Sequence, residues 1–197
     1  MKILIATPLY PPDIAAPAPY VKELATRLAK DHEVTVIAYG HLPEEVVGVR
    51  LVSVPKNLSI LRRLWRFTRV LRLEAKAADV TLIENGPATE LPAALLSLFT
   101  RFRYVFHGTD TKSLINIKKY PVRGLIERLA ITRAEQLIMC EGYTPHQSTT
   151  MRGTVCVPHP PERPEILPFA EYPKAEMSTY ETAWKEHLLK LTTLMKS

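Results

Sequence analysis

Cysteine is scarce in this chain, with only Cys140 and Cys156 among 197 residues. A disulfide framework is therefore excluded, and each cysteine falls in an apolar, strand-like stretch that reads as core in a reducing compartment. Glycine is also sparse, at seven residues, and neither Gly-x-Gly-x-x-Gly nor a Walker loop occurs. With no Asp-x-Asp and no zinc-type Cys/His cluster either, the sequence supports no metal and no dinucleotide cofactor. No run of 18 apolar residues exists, and the opening Ile3-Leu4-Ile5-Ala6-Thr7 meets Pro8 too soon for a secretory signal, which predicts a cytoplasmic protein. Asn57-Leu58-Ser59 is a formal glycosylation sequon without that context.

What is present begins with a 46% hydrophobic content, enough for a core. A net charge of +6 favours an anionic partner: nucleic acid, phosphate groups or a membrane surface. Strand-length apolar runs alternate with helix-periodic stretches, the pattern of a parallel sheet covered on both faces. Strands are predicted at Lys2–Thr7, Glu33–Tyr39, Val49–Val54, Val80–Glu84, Tyr104–His107, Gln136–Cys140 and Thr154–Val157. Helices are predicted at Tyr20–Lys30, Asn57–Ala77, Ala88–Arg101, Pro121–Arg133 and Thr144–Met151. The first strand is followed by a proline-dense loop from Pro8 to Pro19. The expected fold is a single-domain α/β, Rossmann-like, doubly wound parallel sheet over residues 1–158.

Beyond Pro158, prolines at 160, 161, 164, 168 and 173 suggest an extended connector over 159–177. Residues 178–197 then form an amphipathic helix with Tyr180, Trp184, Leu188, Leu191 and Met195 on one stripe. Ser178 and Glu181 have capping-box spacing at its start. The stripe needs a partner surface, and packing back on the same domain is the simplest way to supply one.

The opening Ile3–Pro12, then Ala16-Pro17, Tyr20-Val21, Leu24-Ala25 and Leu28-Ala29, resembles the N-terminal half of the GT-B glycosyltransferases of family 4. His32–Ile37, Phe106-His107-Gly108-Thr109-Asp110 and Val155–Pro158 continue the likeness, and Tyr180–Leu188 resembles the family's last helix, which crosses back onto the N-terminal domain. The resemblance implies a retaining, metal-independent transferase half that binds a sugar or glycolipid acceptor. It also implies a donor domain, which does not follow Pro158 and would be missing, supplied in trans or replaced by self-association.

By that resemblance His107 matches the histidine that faces the reacting sugar, and a histidine at the carboxyl end of a parallel strand lies where such sheets bind ligands. A histidine capping its own loop is the plainer reading. Gly108, Thr109 and Asp110, with Glu84, Asn85 and Glu141 from other strand ends, are the further acceptor candidates. Where the family loop carries a Gly-Gly pair to approach phosphate, this chain has Ala15 and Ala16, whose methyl groups put donor contact in doubt. Glu127 and Glu135 reproduce the spacing of a donor-side Glu-x7-Glu motif but run straight into a strand without its glycine-rich surroundings.

In Leu58–Arg72, a helical projection gathers Arg62, Arg63, Arg66, Arg69 and Arg72 on one half, with Ile60, Leu64, Phe67 and Leu71 opposite and Trp65 at the boundary. This helix is suited to an anionic membrane surface on the inner face, and equally to a core-facing helix with a solvated arginine side. Nucleic-acid binding is the weakest reading, since no stacking platform or known binding fold accompanies the charge. Two functions remain in competition: the acceptor-binding half of a glycosyltransferase, inactive alone, and a non-catalytic or self-associating Rossmann-like binding domain.

Overall fold

A computed structural model describes residues 1–15, 17–40, 42–108, 121–140, 154–158, 160 and 174–196. Their elements are β1 (Lys2–Thr7), α1 (Pro17–Leu28), β2 (Glu33–Tyr39), β3 (Val49–Val54), α2 (Ile60–Ala75), β4 (Val80–Glu84), α3 (Pro87–Phe99), β5 (Val105–Gly108), α4 (Pro121–Arg133), β6 (Gln136–Cys140), β7 (Thr154–Val157) and α5 (Lys174–Lys196). The strands form one parallel sheet in the order β3-β2-β1-β4-β5-β6-β7. Strand order reverses between β1 and β4, and the carboxyl ends of those two strands flank the crevice in which open α/β sheets take ligands.

Alternation along the strands divides the core in two. Ile3 and Ile5 of β1, Val34 and Val36 of β2, Leu82 of β4 and Val105 of β5 face α1 and α5. Leu4, Ala6, Ile37, Ile83 and Phe106 face α2, α3 and α4. Because β4 and β5 pair with Glu84 opposite His107, the same parity turns both polar side chains toward α1 and α5.

Several boundaries differ from those expected. Helix α1 begins at Pro17, since Pro17 and Pro19 fall in a first turn, where a missing N–H costs nothing; the proline-dense loop is shorter accordingly. Helix α2 is confined to Ile60–Ala75. Its buried residues are Phe67 and Leu71, whereas Ile60 is exposed, because the stripe toward the core is narrower than the one projected. Helix α5 starts at Lys174 rather than 178, directly after Pro173, as Lys-Ala-Glu-Met favours helix. Ser178 therefore lies inside it, where its carbonyl accepts from Thr182, and the capping box is not formed. The helix expected at 144–151 lies outside the described residues, as does most of the connector, 161–173.

Helix α5 packs on α1. Tyr180, Trp184, Leu191 and Met195 are buried with Tyr20, Val21, Leu24 and Leu28, and the Trp184 ring stacks on Tyr20 at 5.7 Å. Full burial of such side chains contributes about 1.5–3 kcal/mol each. Among the described residues, no helix is long and apolar enough to cross a membrane.

Candidate functional site

The end of β5 delivers His107 and the end of β4 delivers Glu84, with His107 Nδ1 2.7 Å from Glu84 Oε1. Both side chains are buried, at 0% and 2% exposure. With Nδ1–H donating to the carboxylate, Nε2 is the basic nitrogen of the neutral ring. A buried carboxylate needs such a partner, since desolvating it unpaired is prohibitive.

The backbone around the pair is tightly held. The Asn85 N–H donates to the His107 carbonyl at 3.0 Å. Gly86 then turns the chain into α3 at φ 152°, and a Cβ there would meet Pro8 Cγ at 2.8 Å. That conformation is close to glycine-only, and it lets the β1 and β4 strand ends approach. The Gly86 N–H donates to Glu90 Oε1 at 2.8 Å. Burial pushes the Glu90 carboxyl up to about 8, against the effect of that hydrogen bond, with the neighbouring Glu127 charge raising it further. The loop after β1 is fastened by Lys56 to Asp13 at 2.5 and 2.7 Å and by the Glu44 N–H to the Pro11 carbonyl at 3.0 Å.

Behind His107 lies an aromatic wall. The Tyr20 ring centroid is 5.9 Å from that of His107, and Tyr20 Oη is 2.8 Å from His187 Nε2. His187 Nδ1 lies 2.9 Å from the Pro158 carbonyl oxygen. A carbonyl only accepts, so Nδ1 carries the proton and, in the neutral ring, Nε2 accepts from the Tyr20 hydroxyl.

The structure brings His107, Glu84, Asn85 and Gly108 together, all buried at the carboxyl edge. Ala15 is exposed, and its carbonyl accepts the Ala18 N–H at 2.9 Å. No described residue other than glycine has positive φ, so Ala15 sits at its position without backbone strain. Ala16, Thr109, Asp110 and Glu141 lie outside the described residues. Arg62, Arg66, Arg69 and Arg72 are exposed. Arg63 is half-buried, 5.5 Å over the Tyr39 ring, so it does not join the free basic face; one helical turn sets it against the sheet. Glu127 is buried while Glu135 pairs with Arg103, so the two carboxylates do not act together. Among the described residues no group of His, Cys, Asp and Glu is disposed to hold a metal ion.

Glu90, Tyr20 and His187 were not singled out as site residues from the sequence. Glu90 falls in the first turn of a helix opened by Gly86-Pro87, and an acidic residue at a helix start is a local signal legible in principle. Tyr20 and His187 are separated by 167 residues, and no local pattern joins them.

Residues 16–152 match the family model of the glycosyl transferase 4-like domain. The chain belongs to the glycosyl transferase 4-like family. This membership and the doubly wound sheet identify the N-terminal domain of a GT-B glycosyltransferase. The domain is also similar to a Listeria monocytogenes protein assigned as a UDP-N-acetylglucosamine 2-epimerase, at 14% identity and a TM-score of 0.46 over 70% of this chain. The glycosyl transferase 4-like domain spans 39% of that protein's length. No curated protein matches the sequence.

Proposed function

We propose that this glycosyl transferase 4-like domain is the acceptor-binding half of a retaining glycosyltransferase. It takes a sugar or glycolipid at the carboxyl edge of β4 and β5 and transfers nothing until a donor-binding half joins it, in trans or through a homodimer. The observation that carries this reading is the buried His107–Glu84 pair beside the strand-order switch. Glu84 fixes the imidazole so that Nε2 is basic, which suits proton handling at an acceptor hydroxyl. Asn85 and Gly108 lie on the same edge; by resemblance to the family, Thr109, Asp110 and Glu141 are further acceptor candidates, and Ala15 and Ala16 in place of a glycine pair count against donor contact. In this reading residues 1–158 are the binding unit, and α5 belongs to it across the connector.

The test is saturation-transfer NMR of the protein with a panel of oligosaccharides and short-chain glycolipids, beside a scan of UDP- and GDP-hexoses for turnover. At least one acceptor is expected to give a saturation-transfer signal that His107→Ala abolishes, while no nucleotide sugar is turned over or hydrolysed. Acceptor binding indifferent to His107→Ala would overturn the site, and turnover by the protein alone would overturn the need for a donor half.

A second role, attachment to an anionic membrane on the cytoplasmic side, is favoured by α2. Ile60, Leu61 and Trp65 are 66%, 81% and 65% exposed, next to the exposed Arg62, Arg66 and Arg69. Apolar anchors flanked by cations are what an interfacial helix requires.

A further inference from the structure

The imidazole of His187 contacts two other parts of the fold. Through Nδ1 it holds the Pro158 carbonyl just beyond β7, and through Nε2 it holds the Tyr20 hydroxyl on α1, at 2.9 and 2.8 Å. Tyr20 is in turn fixed on both sides. Trp184, one helical turn before His187, stacks on it with an interplanar angle of 21°, and His107 lies against it at 52°. The centroids of His107 and His187 are 6.4 Å apart, and His187 and Tyr20 are buried along with His107 and Glu84. Among the described residues, the groups set against His107 include Glu84 from β4, Tyr20 from α1 and His187 from α5, three separate elements.

We propose that His187 is a positioning residue for the candidate site: by accepting the Tyr20 hydroxyl while anchored to Pro158, it keeps the Tyr20 ring against His107 and so fixes the environment in which that imidazole gains and loses its proton. The physical basis is hydrogen-bond satisfaction. The bond between the Tyr20 hydroxyl and His187 Nε2 is made at one placement of the ring, and a buried hydrogen bond lost on one side costs about 1–3 kcal/mol. The partner for the site thus comes from the last helix, far along the chain from β5. The inference rests on His107 belonging to the acceptor site, but its test reads His107 itself and does not use acceptor.

The experiment is 15N-edited NMR of the histidine side chains in the full chain, following the tautomer and titration of His107. His187→Gln retains a donor for Pro158 and an acceptor for Tyr20, and is expected to leave the His107 signals as they are in the unaltered protein. His187→Phe fills the space without hydrogen bonds, and Tyr20→Phe removes only the hydroxyl. Each is expected to move the His107 titration midpoint by about half a unit or more, or to mix its tautomers. Should His187→Phe fail to fold, Tyr20→Phe alone decides. Unchanged His107 signals in the folded Phe variants would overturn the proposal. Equal displacement by His187→Gln and the Phe variants would also overturn it, since packing rather than the hydrogen bond would then be responsible.

Discussion

The guanidinium of Arg27 meets the carboxylate of Glu181 fork to fork, at 2.8 and 2.7 Å, across a separation of 154 residues. Its Nε donates to Glu23 at 2.7 Å, and its face lies 5.0 Å from the Trp184 ring. One side chain on α1 thus gathers charge and aromatic contacts from α5. Arg27→Ala is expected to destabilise the fold by about 2–4 kcal/mol, since it removes charge-assisted bonds and leaves the tryptophan uncovered. Glu181 has 45% of its side chain exposed and Glu23 still pairs the guanidinium, so Glu181→Gln should cost no more than about 1 kcal/mol. Urea unfolding of the two variants measures both.

Trp184→Ala removes the largest fully buried side chain of α5 and should cost about 3–5 kcal/mol. Removing residues 174–197 should lower the melting temperature further still. An unchanged melting temperature in the truncated protein would mean that α5 adds nothing to stability.

Glu90 ties stability to pH. Its folded pKa of about 8 lies above the ordinary carboxylate value, so between about pH 4.5 and 8 the native state holds a proton that the unfolded chain has released. The native state's advantage from this group is full below that window and falls by about 1.4 kcal/mol for each pH unit through it. Glu90→Gln keeps an acceptor for the Gly86 N–H and has no proton to lose. Relative to the unaltered protein, its stability should therefore rise steadily from pH 5 to pH 8, as read by denaturation at each pH. Parallel stability curves for the two proteins would contradict this.

Gly86→Ala should cost several kcal/mol, because the backbone strain alone is about 1–3 kcal/mol and the new methyl would press on Pro8. Gly40, where a Cβ would meet nothing within 4 Å, is the control. Gly40→Ala should leave thermal stability nearly unchanged.

If α2 attaches to anionic lipid, replacing Arg62, Arg66 and Arg69 with Gln should weaken binding by about two orders of magnitude, at about 1 kcal/mol for each arginine. Sedimentation with phosphatidylserine vesicles at low salt measures this, and the difference should shrink as salt rises. Arg63→Gln should change vesicle binding less than the others, because Tyr39 already covers its guanidinium.

Much of the fold was legible because it depends on local periodicity. The β-branched run at Val34–Ile37, the strand-length stretch at Val49–Val54 and the alternation of strand and helix lengths are properties of neighbouring residues, and they recur in the structure. The site was less legible, because burial of a polar group depends on register. Glu84 reads from the sequence only as a strand-end carboxylate within reach of a sugar. Only the pairing of β4 with β5 places it opposite His107 and turns both inward. The half-buried Arg63 shows the same limit: helical projection assigns it to a face, but the aromatic beneath that face comes from another strand. The late start expected for α5 had a local cause, since Ser178 and Glu181 imitate a cap while the preceding Lys174–Met177 extends the helix.

Pro158 is where the chain leaves the sheet, His187 lies in the helix that returns, and one imidazole joins them. In polymer terms, Pro158 and α5 are joined by contacts that do not depend on how many residues separate them, and these contacts close a loop of the chain. The entropy of closing such a loop grows only logarithmically, by about 0.6 kcal/mol for each doubling, so a stretch ten times as long would add about 2 kcal/mol. The fold is therefore indifferent, to within a couple of kcal/mol, to how many flexible residues are spliced between these two points.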